Sequence, residues 1–229
     1  MQHFIFTKFN MPGFKGNPHI DQDWLDFRIM LFKRWILPSM KQQTCQDFQW
    51  FVHCWHETPL NQVTELMELE ESYDNLTILW LHKTEWYHEW LGKIRDRVEP
   101  GMLLTSRIDS DDAVHKEFVE KVQFVCGKYE PGYFFCFYKG IMHNIQSGKC
   151  YLREYFRNPF LSYLETSYSD APRDIVTVHN RQHCHAEPVE NVFTLPYWLQ
   201  NVHGGNQGNQ YDPKNKEEFD FSEIEKDFV

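Results

Sequence analysis

No run in the 229-residue chain approaches the roughly 18 uninterrupted apolar positions that a membrane-spanning helix requires. The opening MQHFIFTKFNMPGFKG also lacks the long apolar stretch and small-residue cleavage site of a signal peptide. No CxxC pair occurs. The six cysteines (Cys45, Cys54, Cys126, Cys136, Cys150, Cys184) follow no regular framework. Four of them sit inside apolar runs such as QWFVHCW and YFFCFY, where Cys behaves as a small hydrophobe. These absences predict reduced thiols in a soluble, cytoplasmic protein. Basic charge is also short: 23 Lys and Arg stand against 33 Asp and Glu, a formal net charge of −10. That balance excludes a duplex nucleic-acid binder, whose affinity comes from neutralising phosphates. With no internal repeat and no Ser/Gly linker, the chain reads as one domain (1–211) followed by an acidic tail (212–229).

Apolar residues at 41% and aromatics at 17% are ample for a core. In the first half, strand and helix signals alternate. HFIFTKF (3–9) reads as a strand, and MPGFKGNP (11–18) as a loop. A helix starts at Asp21, with Trp24, Leu25, Arg28, Leu31, Phe32 and Trp35 at helical spacing, and Pro38 breaks or restarts it. FQWFVHCW (48–55) is apolar on both faces, as a buried parallel strand is. A helix over 57–74, a strand over 75–82, a helix over 85–98 and a strand over 101–113 follow. The alternation predicts an α/β fold with a mostly parallel sheet and right-handed crossovers.

The second half differs. Asp112 is positioned to cap a helix reaching about Lys128, and 132–156 reads as antiparallel strands with QSGK at the turn. Residues 158–174 read as a polar loop with room for a short helix, and 175–179 as a short strand. Residues 195–203 are apolar enough to be ordered. The tail carries a local charge of −4 and either docks through Phe219, Phe221, Ile224 and Phe228 or is disordered.

The segment TSRIDSDDA (105–113) carries the strongest chemical signal. On an extended chain, Asp109 and Asp111 point the same way, roughly 6.5 Å apart. With Asp112 they sit at the C-terminal end of a parallel strand, where open α/β sheets bind ligands. Crowded carboxylates call for a cation, and hard oxygen donors select Mg2+ or Mn2+, which in turn would hold a diphosphate. The plain alternative is an acidic helix start with an N-cap, which explains one or two of the three acids.

TSRIDSDDAVHKEFVEKVQ resembles the DxD region of nucleotide-sugar-dependent glycosyltransferases of the GT-A type. HFIFTKFN, DWLDFRIMLFKRWILPSMKQQTCQDFQW, SRIDSDDA, NPFLSYLE and PYWLQNVHGGN, in that order, resemble the rhamnosyltransferase family of bacteria and some large viruses. The resemblance covers nearly the whole chain apart from the tail. It implies a single Rossmann-like GT-A domain with a parallel donor half and a smaller antiparallel acceptor half. It further implies a dTDP-, UDP- or GDP-linked sugar donor, rhamnose among the sugars, and a glycan or other hydroxyl acceptor. On this resemblance Thr7, Phe9 and Asn10 lie beside the nucleoside, Asp109 and Asp111 hold the metal, and His203 adds a third ligand. Gly204 and Gly205 let backbone N–H groups approach a phosphate. Arg107 pairs with a diphosphate oxygen or with its neighbouring carboxylates; Arg28 and Arg97 are weaker phosphate or base contacts. Inverting transfer also needs a base for the acceptor hydroxyl. Glu165 and Asp170 are the first candidates, with Asp174 and His179 behind them.

Two other groupings stand apart. HNRQHCHAE (179–187) holds three His and one Cys, which suggests either zinc or a polar site wall. WYHEW (86–90) offers Trp86 and Trp90 to a sugar face or to the core. The competing functions are a metal-dependent phosphoryl-transfer or hydrolytic enzyme, which needs a second carboxylate pair at a strand end, and a non-catalytic carbohydrate-binding protein, which needs no gathered aspartates.

Overall fold

The computed structural model describes residues 1–12, 20–82, 89, 92–167, 189–192, 195–206 and 209–229. Strand β1 (Gln2–Lys8) lies between β2 (Gln49–Trp55) and β4 (Gly101–Arg107), and β3 (Leu76–Leu81) flanks β2, all four parallel. Both faces of this sheet are apolar because both are covered. Ile5, Trp50, Val52 and Leu104 pack on one side with α1 (Gln22–Arg34), α2 (Ile36–Lys41) and α3 (Leu60–Glu71). Phe4, Phe6, Phe51 and Leu103 pack on the other with Ile94. Asp21 caps α1, its carboxylate accepting from Trp24 N at 2.9 Å. The helix breaks at Trp35 rather than at Pro38. Pro38 lies in the first turn of α2, where a missing N–H leaves no helical bond unmade.

Of the helix expected over 85–98, residues 85–88, 90 and 91 lie outside the described residues; 89 and 92–94 are helical, and its end, Arg95–Arg97, is a 3-10 turn. Asp112 caps nothing. The helix beyond it, α4 (Phe118–Cys126), has Glu117 at its N-cap position, and Asp112 sits in a turn before the two-residue strand β5 (Ala113–Val114).

The larger correction concerns 158–174, read as a polar loop. Leu161–Ser167 is instead a strand, β9, buried at all but one position and antiparallel to both β4 and β6 (Tyr133–Phe137). With β10 (Val189–Val192) the seven-stranded order is β10-β6-β9-β4-β1-β2-β3. A second sheet runs β12-β8-β7-β11-β5, built on β7 (Lys139–Asn144), β8 (Lys149–Glu154), β11 (Trp198–Val202) and β12 (Glu218–Asp220). The hairpin β7–β8 turns at 145–148, as QSGK predicts. Trp198 anchors this sheet: its ring stacks on Phe160 at 5.2 Å, its indole N–H donates to Phe137 O at 2.7 Å, and it lies directly against Gly140. The tail docks. Phe221 and Phe228 are buried beside Leu31, Trp35 and Leu199, and α5 (Glu225–Phe228) ties Asp227 to Lys116 at 2.7 Å.

Two histidines are buried within the first sheet. His3 bonds Ser106 Oγ at 2.9 Å and is 2% exposed, and His53 is fully buried. Burial pulls both down to about 3. An unfolded chain protonates them near 6.5, so the unfolded state binds more protons between these values and stability falls as pH drops through that window. The slope is about 1.4 kcal/mol per pH unit for each histidine. Urea denaturation at pH 7, 6 and 5 is therefore expected to show a steep loss of stability below pH 6.5. His3→Gln should flatten it, and an unchanged slope would remove His3 as a cause.

Candidate functional site

The strand order β3-β2-β1-β4 reverses direction between β1 and β4, and a crevice opens at the C-terminal end of such a reversal. β1 and β4 pair with Phe6 opposite Arg107, so Lys8 and Asp109 emerge together at that edge. The chain then turns through Ser110, Asp111 and Asp112 before β5.

Asp111 is the centre of the turn. Its Oδ2 accepts from Arg28 Nη1 at 2.8 Å and lies 2.9 Å from His203 Nε2. Arg28 reaches it from α1 and also donates to Ser110 Oγ. Burial would raise the Asp111 carboxyl, but the Arg28 charge and the bonds from His203 and Arg28 outweigh it and hold it well below the usual range. Asp112 behaves oppositely. Burial, with Asp111 and Asp109 adding repulsion, pushes it well above that range, while its Oδ1 accepts Asn201 N at 2.8 Å. Asp109 turns the other way, onto Arg107 at 2.7 Å.

His203 is held on three sides. Its ring meets Phe27 edge-on at 5.2 Å, its backbone N–H donates to Asn206 Oδ1, and its Nδ1 accepts from Gly205 N at 3.1 Å. That bond assigns the ring proton to Nε2, facing Asp111. Gly204 and Gly205 are exposed, and nothing stands within 4 Å of a Cβ placed on Gly204.

Of the residues read from the sequence, the fold thus brings together Arg28, Arg107, Asp109, Asp111, Asp112, His203, Gly204 and Gly205. Others it does not bring there. Thr7 and Asn10 are fully buried and engaged internally: Thr7 Oγ1 accepts from Trp50 Nε1 at 2.9 Å, and Asn10 bonds Thr58 Oγ1 and Trp55 N. Phe9 packs edge-on against Phe32 in the core. Arg97 lies at the opposite end of the sheet, bonded to Thr77 at the start of β3. Glu165 stands opposite Leu103, near the start of β4, roughly 20 Å short of Asp109 along the strand. Asp170, Asp174, His179, the HNRQHCHAE segment, Trp86 and Trp90 lie outside the described residues.

Lys8 is the residue that sequence reasoning missed. Burial and the neighbouring Arg107 charge lower its ammonium to about 8, with Asp109 pulling it back up. A lysine closing a strand reads as an ordinary edge residue; only the β1–β4 register puts it beside Asp109.

A divalent ion fits part of this arrangement. Two ligands at right angles around an ion with bonds of about 2.1 Å stand about 3 Å apart. Asp111 Oδ2 and His203 Nε2 have that separation, provided the Nε2 proton leaves as it does when imidazole becomes a ligand. Among the described residues no group of three His, Cys, Asp or Glu side chains forms a metal cage. Two protein ligands suit an ion that completes its shell with phosphate oxygens and water. Asp109, turned to Arg107, is not part of that pair.

Residues 17–215 match the model of a family described as putative rhamnosyl transferase. Among solved structures, S. aureus TarS 1-349 superimposes with a TM-score of 0.52 at 10% identity, over 88% of this chain and 60% of that one. The same protein in complex with UDP gives 0.50 at 11% identity, over 88% and 61%. The mannosyltransferase PcManGT from Pyrobaculum calidifontis, in complex with GDP-Man and Mn2+, gives 0.49 at 8% identity, over 89% and 58%. The chain spans about three fifths of the length of these solved chains. No curated protein matches it. At such identities the likeness speaks to the fold alone, which is α/β of the GT-A type. No described helix is long and apolar enough to cross a membrane.

Proposed function

We propose, from the premise that this chain belongs to the rhamnosyl transferase family, that it moves a sugar from a nucleoside-diphosphate donor to a hydroxyl acceptor, with inversion and with a divalent ion at Asp111 and His203. The observation that carries the reading is the Arg28–Asp111–His203 group at the C-terminal edge of β4. Rhamnose as the sugar rests on the family alone.

Breaking the anomeric bond leaves negative charge on the departing diphosphate, and stabilising that charge is the main demand on the site. A bound Mn2+ or Mg2+ supplies Lewis-acid stabilisation there. The chain adds its own cations. Lys8 and Arg107 stand side by side at the ends of β1 and β4, within reach of the same phosphates. Arg28 keeps Asp111 ionised and aimed at His203. The amide of Gly204 lies on an open turn from which a phosphate oxygen can be approached, while that of Gly205 is held by His203 Nδ1. The distance of Glu165 from the turn leaves Asp170, Asp174 and His179 as candidate bases for the acceptor proton, and we take Asp170 first. Turnover at saturating donor should therefore fall in Asp170→Asn and persist in Glu165→Gln.

The decisive experiment is thermal unfolding with UDP, GDP and dTDP, each with and without Mn2+. A ligand at 100 times its Kd stabilises by about 2.7 kcal/mol, or roughly 5–10 °C for a chain of this size. A rise that needs both nucleotide and ion supports the proposal; no rise with any of the three rejects it. Lys8→Met should weaken the bound nucleoside diphosphate about tenfold by calorimetry while leaving the nucleoside unaffected. Equal affinity in the variant would remove Lys8 from the site.

A further inference from the structure

Asn201 lies two residues before His203 on β11, is fully buried, and uses every polar group it has. Its backbone N–H donates to Asp112 Oδ1 at 2.8 Å, and its Nδ2 donates to the Asp111 carbonyl at 2.7 Å. Its own carbonyl accepts from Asn206 Nδ2 at 3.1 Å, on the loop that also holds His203 N. One residue therefore joins the acidic turn, through its side chain and backbone N–H, to the His203 loop, through its backbone carbonyl. Its remaining atom, Oδ1, faces His143 Nδ1 at 2.7 Å across the parallel pair β7–β11.

His143 is itself clamped. Phe221 stacks on its ring at 4.6 Å, and Trp35 meets it edge-on at 5.0 Å. Phe221 belongs to the acidic tail, beyond residue 215 where the family match ends. The contacts run without a gap from the tail to the aspartates.

We propose that Asn201, oriented by His143 under the tail residue Phe221, is the positioning residue that fixes the Asp111–Asp112 turn against His203. Its functional meaning rests on the donor-site reading above, but its structural content does not. An Asn amide carries both a donor and an acceptor, and here each is aimed at a different partner. Loss of the His143 bond lets that amide rotate, which releases the Asp111 carbonyl and loosens the turn.

His143→Phe keeps an aromatic ring between Trp35 and Phe221 and removes only the N–H to Asn201. Amide hydrogen exchange over 109–114, measured without any ligand, should then quicken about tenfold, the equivalent of one hydrogen bond, with the melting temperature lowered by only a few degrees. Affinity for UDP, GDP or dTDP with Mn2+ should fall by a similar factor. His143→Gln, whose amide can donate again, should restore both. Phe221→Leu leaves both hydrogen-bonding groups in place but loosens the stack, and should quicken the same exchange by a smaller factor. Wild-type exchange over 109–114 in His143→Phe overturns the relay; wild-type exchange in Phe221→Leu removes the tail from it. If the parent protein binds none of the three nucleotides, the donor-site reading fails while the exchange data still decide the relay.

Discussion

Asp111→Asn is expected to cut ion-dependent nucleotide affinity by about two orders of magnitude, within the range lost when one partner of a buried, hydrogen-bonded charge pair is removed from a binding site. One carboxylate oxygen serves both Arg28 and His203, and each approaches with a donor. An amide oxygen can take the place of that oxygen and accept both bonds, but it is neutral and the weaker acceptor. The ion site would lose its anionic ligand, and Arg28, with a side chain only 9% exposed, would keep a charge with no counter-charge. Breaking a buried pair from one side costs about 3–5 kcal/mol. The variant should therefore also unfold at lower urea, and the two losses are separable. Asp109→Asn, at a more exposed carboxylate paired with Arg107 and beside Lys8, should lose much less stability. If Asp111→Asn binds ion and nucleotide as the parent does, Asp111 is not a ligand and the site must be sought elsewhere on this edge.

Gly140→Ala is expected to be among the most damaging single substitutions in the chain, although it adds only one methyl. A Cβ at this position would stand 1.9 Å from Trp198 Cδ2 and 2.1 Å from Cε2. The indole cannot step aside. It is fully buried, stacked on Phe160 and hydrogen-bonded to Phe137 O. Strands β7 and β11 would have to separate, and overpacking of this severity costs about 3 kcal/mol or more. The expected result is a chain that is insoluble or unfolds far below the parent in urea. Trp198→Phe in the same background makes room and should recover part of the loss. A soluble Gly140→Ala protein of parental stability would show that the indole has freedom not visible here.

The two large effects differ in how readable they were. Asp111 announces itself, because carboxylates spaced i and i+2 at the end of an apolar strand have few other reasons to gather. Gly140 announces nothing: KGIM reads as an ordinary strand, and the need for glycine arises from a tryptophan 58 positions later. The same division runs through the fold. Strands β1 to β4 are legible because both faces are covered, so their residues form near-continuous apolar runs. Strand β9 is not, because Ser162, Glu165, Thr166 and Ser167 make it look soluble. Its buried hydroxyls are satisfied only by partners from elsewhere: Ser162 by Ser106 Oγ at 2.6 Å, and Ser167 by the carbonyls of Glu99 and Gly101. Asp112 was misread as a cap because a local rule offered it a partner, whereas Asn201 supplies a nearer one from 89 residues away. Thr7 and Asn10 are engaged within the fold for the complementary reason. Polar residues at a strand end suggest a ligand, but Trp50, Trp55 and Thr58 satisfy them first. Long-range pairings were the common blind spot.

The pairing of Lys8, Arg107 and Arg28 with the three aspartates has a kinetic consequence. Those side chains leave the crevice itself nearly balanced in charge, so most of the excess of −10 lies outside it, a share of −4 in the tail. A diphosphate arriving from solution crosses a repulsive field before it meets the attractive one, and the two are screened differently. The Debye length of about 8 Å at physiological ionic strength mutes the outer field first. Capture of an anionic donor should therefore quicken as modest salt is added, the reverse of a protein whose whole surface draws phosphate in.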